Sequence, residues 1–279
     1  MTDVFRKDLF NGKVLFATGG RTGIGYKLVE QMMAHGANAT ILGRDAKGLA
    51  ESAANLEKAT GSKCLAAAAD VRKPAELKAA VDATIAKFGR IDFVVCGAAG
   101  NFLAPIGGLS ENAFRTVLEI DTLGTYNTLK ATLPYVRETK GAYLHISATL
   151  HYKGVPFQAH VSAAKAGVDA LSQVIAVEEG PRGVRSNVVA PGPIGNTEGM
   201  SRLGTPGYDA RAAIPLGAMG ETQDVANAAI FLFSPAASWV TGQTFVVDGG
   251  QQHMRGSGAP YPDALLDPKV AATILKGKL

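Results

Sequence analysis

The stretch TGGRTGIG, residues 18–25, follows the apolar run KVLFA (13–17) and opens a helical pattern that continues to Gly36. Its glycines, Gly19, Gly23 and Gly25, have the spacing GxxxGxG. Glycine permits a tight turn from strand to helix. It also lets backbone N–H groups approach a pyrophosphate at the positive end of the helix. A glycine cluster alone is weak evidence, because many loops contain one. Lodged between a strand and a helix near the start of the chain, it predicts a dinucleotide-binding βα unit. Thr22 and Ile24 complete the turn.

Outward from this turn, strand and helix signals alternate. ATILGR (39–44), KCLAAAADV (63–71), IDFVVCGAAG (91–100), GAYLHISA (141–148), VRSNVVAPG (184–192) and TFVVDGG (244–250) read as strands. Helices are expected over 24–36, 45–61, 74–89, about 112–133, 160–179 and 222–233. Gly36 is a C-cap, and Pro74 opens its helix at the first position. Seven apolar strands in βα alternation predict one α/β domain over residues 1–279, a parallel sheet with helices on both faces. Residues 193–218, rich in Gly and Pro, read as a lid, and 251–279 as a tail.

The second strand closes on Gly43-Arg44. A carboxylate at that tip would hold the adenosine ribose diol of NAD, and Gly43 offers none. Arg44, with Arg21 in the glycine turn, suits a 2′-phosphate and therefore NADPH. Asp45 is the competing possibility, should it turn inward. Asp70-Val71, after the third strand, is expected beside the adenine.

Composition narrows the classes. Apolar residues make up 47% of the chain, enough for a sizeable core. No run of 18 apolar residues suggests a membrane span, and the N-terminus lacks a signal-peptide core. Two cysteines, Cys64 and Cys96, without metal-ligand spacing, argue against a disulfide framework or a metal site. The net charge of +4 is scattered, which fits a solvated surface and does not suggest nucleic acid.

TGGRTGIG, Asp70-Val71, AAG (98–100), Lys165 and PGPI (191–194) lie in the order found in the short-chain dehydrogenase/reductase family, which the chain resembles over roughly residues 10–250. That resemblance implies a single Rossmann-type domain, a homotetramer with TFVVDGG at one interface, and cofactor contacts from Ala98, Ala99, Gly100, Lys165, Pro191, Gly192 and Ile194. The family's usual catalytic set is Asn, Ser, Tyr and Lys. Here the tyrosine position holds Val161, the serine position Ala148 (flanked by Ser147 and Thr149) and the asparagine position Asp121; only Lys165 remains. AAGNF (98–102), EIDTLGTYNT (119–128), ISATL (146–150), SAAKAGVDAL (162–171) and APGPIGNTEG (190–199) resemble one branch, the 2,4-dienoyl-CoA reductases of peroxisomal type. The resemblance implies Asp121 and Lys165 as catalytic residues, NADP(H) as cofactor and an acyl-CoA substrate.

Those departures have a chemical reading. Ketone reduction leaves a localised alkoxide that needs an acid within reach. Hydride addition to C5 of a 2,4-dienoyl thioester spreads charge as a dienolate onto the thioester oxygen, so donors at that oxygen come first and protonation at C2 second. Asn101, Phe102, Ser147 and Thr149 are the candidates for lining the substrate slot. A loop-capping Asn, a core Phe and turn-forming hydroxyls are the plain alternatives. His151, Tyr152 and His160 lie near the same face and are assigned no role. Arg202 and Arg211 are candidates for the CoA phosphates. The final GKL (277–279) is close to a peroxisomal address read by an import receptor. A carbonyl or enone reductase that uses water in place of tyrosine remains open, as does a cofactor-binding subunit without catalysis.

Overall fold

β1, Val14–Thr18, is buried at every position, as expected of a strand covered on both faces. The computed structural model describes residues 5–197, 200, 211, 214–254, 266, 267, 269 and 270. Residues 198, 199, 201–210, 212 and 213 of the expected lid, and the GKL terminus, lie outside them.

The remaining strands are β2 (Asn38–Gly43), β3 (Cys64–Ala68), β4 (Phe93–Cys96), β5 (Ala142–Ile146), β6 (Arg185–Pro191) and β7 (Thr244–Val247). They form one seven-stranded sheet in the order β3-β2-β1-β4-β5-β6-β7, parallel at every pairing. The strand order reverses between β1 and β4. A crevice opens there at the carboxyl ends of the strands, where open α/β sheets bind ligands.

Helices cover both faces. α1 (Gly23–Ala34) and α2 (Ala46–Thr60) pack on one side through Leu28, Met32, Leu49 and Leu56. They share that side with Ile230 and Phe233 of Thr222–Phe233, the helix before β7. α3 (Pro74–Phe88) covers the other face through Leu77 and Val81, packed with Leu129 and Val136. Gly61 and Gly89 end α2 and α3 in the left-handed conformation, which glycine adopts without a Cβ penalty.

The helix expected over about 112–133 is longer and interrupted. α4 (Glu111–Leu118) passes through a π turn, Glu119–Leu123, into α5 (Gly124–Thr139). Pro134 lies inside α5 and does not stop it. Proline removes one backbone hydrogen bond, but Leu129 before it and Val136 after it are both buried in the core, so packing holds both turns. After β5 comes α6 (Leu150–Lys153), a turn that periodicity does not show, and then α7 (Ala159–Glu179). In chain order the helix Thr222–Phe233 is α8.

Candidate active site

The glycine turn joins β1 to α1 at the edge of the crevice. Gly19 has φ +69°, and a Cβ there would meet Gly97 O at 2.5 Å. Gly23 has φ +56°, and a Cβ there would touch the Thr197 side chain at 3.9 Å. α1 has no side-chain cap on its first N–H groups and no acidic residue in its first turn. Uncapped N–H groups and a positive helix end fit a pyrophosphate. Thr18, which the sequence reading passed over, fixes the mouth. Its hydroxyl donates to Val95 O at 3.2 Å and accepts from Gly97 N at 3.1 Å. Ala98, Ala99 and Gly100 leave β4 beside it, with Ala99 exposed.

Asp45 does not turn inward. It caps α2 by accepting from Gly48 N at 3.1 Å, and it lies 3.6 Å from Arg21. Arg44 is exposed at the end of β2. The tip thus presents cations with no free carboxylate, the arrangement a 2′-phosphate requires. Asp70 is gripped by Arg72, whose Nη2 donates at 2.6 Å; this pairing holds the carboxyl near 2, below its ordinary value. Val71 turns its side chain into the core against Gly124, and its carbonyl accepts from Asn127 Nδ2 at 3.0 Å. Pro191 ends β6, Gly192 N donates to Val247 O at 2.9 Å, and Ile194 is buried beside a bridge to Gly220.

The π turn sets the centre. It carries Asp121, 1% exposed, beneath the loop that follows β4. Asp121 Oδ1 accepts from Gly100 N at 2.8 Å, and Oδ2 lies 2.9 Å from Lys165 Nζ. That charge contact is not aligned as a hydrogen bond, which leaves Oδ2 open to a further donor. Lys165 reaches it from α7 and donates to Ile146 O at 2.9 Å. Thr122 Oγ1 donates to Ala164 O at 2.9 Å, and Gly167 faces Thr122, so the two helices meet closely at this level. Removing one partner from a buried ion pair typically costs about 3–5 kcal/mol.

Val161 is buried with Val117 and Ala164, and Phe102, Leu118 and Leu150 pack on them. The tyrosine position of the family is therefore an apolar wall. Phe102 is half-buried on this wall, its ring 4.2 Å from the ring of His160. His160 is completely buried, and neither ring nitrogen has a hydrogen-bond partner among the described residues. Burial lowers its pKa; the Phe102 backbone, short of hydrogen-bond geometry, and Asp121 oppose that shift. Asn101 Oδ1, Ser147 Oγ and Gln158 Oε1 are likewise buried without partners. Asn101 thus does not cap its loop through Oδ1. Thr149 is buried at the start of α6. An unpaired buried polar group costs about 1–3 kcal/mol, so such a concentration calls for an explanation.

His151 and Tyr152 belong to a separate group. Both bond Asp169 Oδ2, at 2.7 and 3.0 Å, and so tie α6 to α7. Among the described residues no cluster suits a metal ion, and no helix is long and apolar enough to cross a membrane. Arg211 is exposed, and Arg202 lies outside the described residues.

A parallel sheet of this order, a glycine turn at its switch point and a buried lysine on the helix after β5 define a nucleotide-dependent oxidoreductase. The chain belongs to the short-chain dehydrogenase/reductase family: a family profile described as enoyl-(acyl carrier protein) reductase matches residues 19–252. It is 48% identical to the peroxisomal 2,4-dienoyl-CoA reductase [(3E)-enoyl-CoA-producing] of Saccharomyces cerevisiae, over 94% of this chain and 92% of that one. It is 46% identical to the protein of that name from Danio rerio, over 89% and 84%. A solved short-chain type dehydrogenase/reductase from Mycobacterium ulcerans superposes with TM-score 0.86 at 33% identity, covering 97% of this chain and 99% of that one.

Proposed function

We propose that this chain reduces 2,4-dienoyl-CoA with NADPH to a 3-enoyl-CoA, with Asp121 and Lys165 handling the proton. The observation that carries the reading is the buried Asp121–Lys165 contact, with an apolar cluster around Val161 where the family has its tyrosine. The names of the similar reductases support it, and they favour a (3E) product, which the sequence alone leaves open.

Gly19, Arg21, Thr22, Gly23, Ile24 and Gly25 hold the cofactor's phosphates with Arg44; Asp70 and Val71 border the adenine; Ala98, Ala99, Gly100, Pro191, Gly192 and Ile194 flank the rest. Bound NADPH supplies the hydride that adds at C5. The chain's own groups do the remainder. Phe102 and Val161 give the acyl chain an apolar surface and keep bulk water away. Asp121, with one oxygen held by Gly100 N–H and the other beside Lys165, orients a water so that its proton reaches C2, and the hydroxide left behind takes a proton back from solvent. Lys165 balances the aspartate's charge in a buried place, and its remaining donor capacity serves the nicotinamide ribose. Asn101, Ser147 and Thr149 line the slot near the thioester.

The similar reductases are named peroxisomal, which supports a place in the peroxisome, and the reaction itself serves β-oxidation of unsaturated acyl chains. Apolar residues exposed on the π turn, α5 and α7, among them Leu123, Tyr126, Val174 and Val177, suit the homotetramer. Light scattering in solution tests that assembly. The decisive assay mixes purified protein with NADPH and 2,4-hexadienoyl-CoA and follows NADPH absorbance and product mass. NADPH consumption with a two-hydrogen mass gain is expected. Consumption only with ketone substrates, or cofactor binding without turnover, would overturn the reading.

A further inference from the structure

Three segments converge over Lys165: the loop after β4, the end of β5 and the N-terminal turn of α7. Ala104 N bonds Phe157 O at 3.1 Å, which ties the first segment to the third. Each brings a buried polar side chain with an unpartnered atom, namely Asn101, Ser147, Gln158 and His160. Buried polar groups are ordinarily satisfied, so unpartnered atoms brought together by three adjoining segments point to a polar group on a ligand.

The atoms differ in what they can offer. The open atoms of Asn101 and Gln158 are carbonyl oxygens, which accept. Ser147 and His160 can donate. His160 is the more deeply buried, and its ring packs at 4.2 Å against the ring of Phe102, which restrains its plane. Burial keeps the imidazole neutral, so it carries one N–H and holds its proton. A neutral, fixed donor adds no unpaired charge to the slot. It strengthens most where negative charge develops in the transition state.

We infer that His160 donates a hydrogen bond to the thioester carbonyl oxygen of the acyl-CoA and stabilises the dienolate, taking the place left by the missing tyrosine and serine hydroxyls. His160 transfers no proton: C2 is protonated from the Asp121–Lys165 side, and the donor keeps its N–H throughout. The inference rests on the function proposed above.

A spectroscopic experiment separates the two. Binding of 2,4-hexadienoyl-CoA to the full-length protein in the presence of NADP+ gives a complex that cannot turn over. A hydrogen bond at the carbonyl moves the dienoyl absorbance band to longer wavelength. The shift is expected in the native protein and in Asp121→Asn. It should be absent in His160→Leu and partly restored in His160→Gln, which keeps an N–H. The kcat of His160→Leu should fall by on the order of 10²–10³-fold, the loss typical of one such donor, with NADPH affinity and KM changed far less. His160→Leu that keeps the band shift and native kcat overturns the inference, as does loss of the shift in Ser147→Ala with His160 intact. Should His160→Leu not fold, His160→Gln and His160→Asn, compared for shift and kcat, decide the matter. A native protein that neither binds nor reduces the thioester fails the functional reading first, before His160 is at issue.

Discussion

Around Asp121 the chain places one negative charge 1% exposed, and it is balanced by Lys165 and by the Gly100 N–H. Asp121→Asn keeps the shape and removes the charge. Its kcat should fall by on the order of 10²–10⁴-fold, the usual cost of a positioned proton-transfer group, while NADPH titration by fluorescence stays near native. Asp121→Ala should show the same kinetic loss and a lower unfolding midpoint, because Lys165 is left unpaired. Turnover by Asp121→Asn equal to the native rate would remove this residue from the mechanism. Arg44 makes a second prediction at this scale. Arg44→Ala should weaken NADPH by about 10- to 100-fold, the worth of a charge-assisted hydrogen bond, and leave NADH nearly unchanged. Comparing KM for the two cofactors checks it. Equal losses for both would mean that Arg44 does not read the 2′-phosphate.

The π turn between α4 and α5 is the element on which the site depends. It admits one residue more than an α-helix would over that span, and this sets Asp121 facing Gly100 and Lys165 while α5 keeps Leu129 and Val136 in the core. Deleting Leu123, which is exposed on the turn, should restore α-helical register and turn α4 with Asp121 by about 100° relative to α5. Activity should then fall to background while far-UV circular dichroism and the cooperative unfolding transition persist. A deletion variant with native kcat would show that the π geometry does not orient the carboxylate. The apolar periodicity of 112–133 reveals a helix but not this turn, because backbone register within a helix leaves only a one-residue slip in the pattern.

Across the whole molecule, stability should depend on pH through buried histidines. Burial lowers the pKa of His145 to about 4, with Lys165 acting in the same sense and Asp169 against it. Its folded value lies below its unfolded one, so the unfolded chain binds more protons between about pH 6.5 and 4, and stability is lost as pH falls through that window. The loss is about 3 kcal/mol as an order of magnitude. His160, shifted in the same direction, adds to it. Asp70 acts lower: stability from its pairing with Arg72 is present above its unfolded value and lost as pH falls toward 2. Urea unfolding from pH 7 to 4 reads the slope, and His145→Gln should flatten it. An unchanged slope in that variant would place the pH dependence elsewhere.

Much of this was already present in the residues. Continuous apolar strands, helical spacing and the capping glycines and proline specify local structure through short-range sterics and burial, so the parallel α/β fold and the glycine turn between β1 and α1 follow from sequence. Asp121, Lys165 and Val161 could be singled out from resemblance, because their departures from a family pattern fall at fixed spacing. Tertiary structure decided what depends on neighbours distant in the chain. It joined Asp121 to Lys165 across 44 residues and left the nitrogens of His160 without partners beside Phe102. It also spent Asp45 on a helix cap, gave Asp70 to Arg72 and carried α5 through Pro134. Whether a polar side chain is satisfied or left open is a property of the packed surroundings, and no local pattern encodes it.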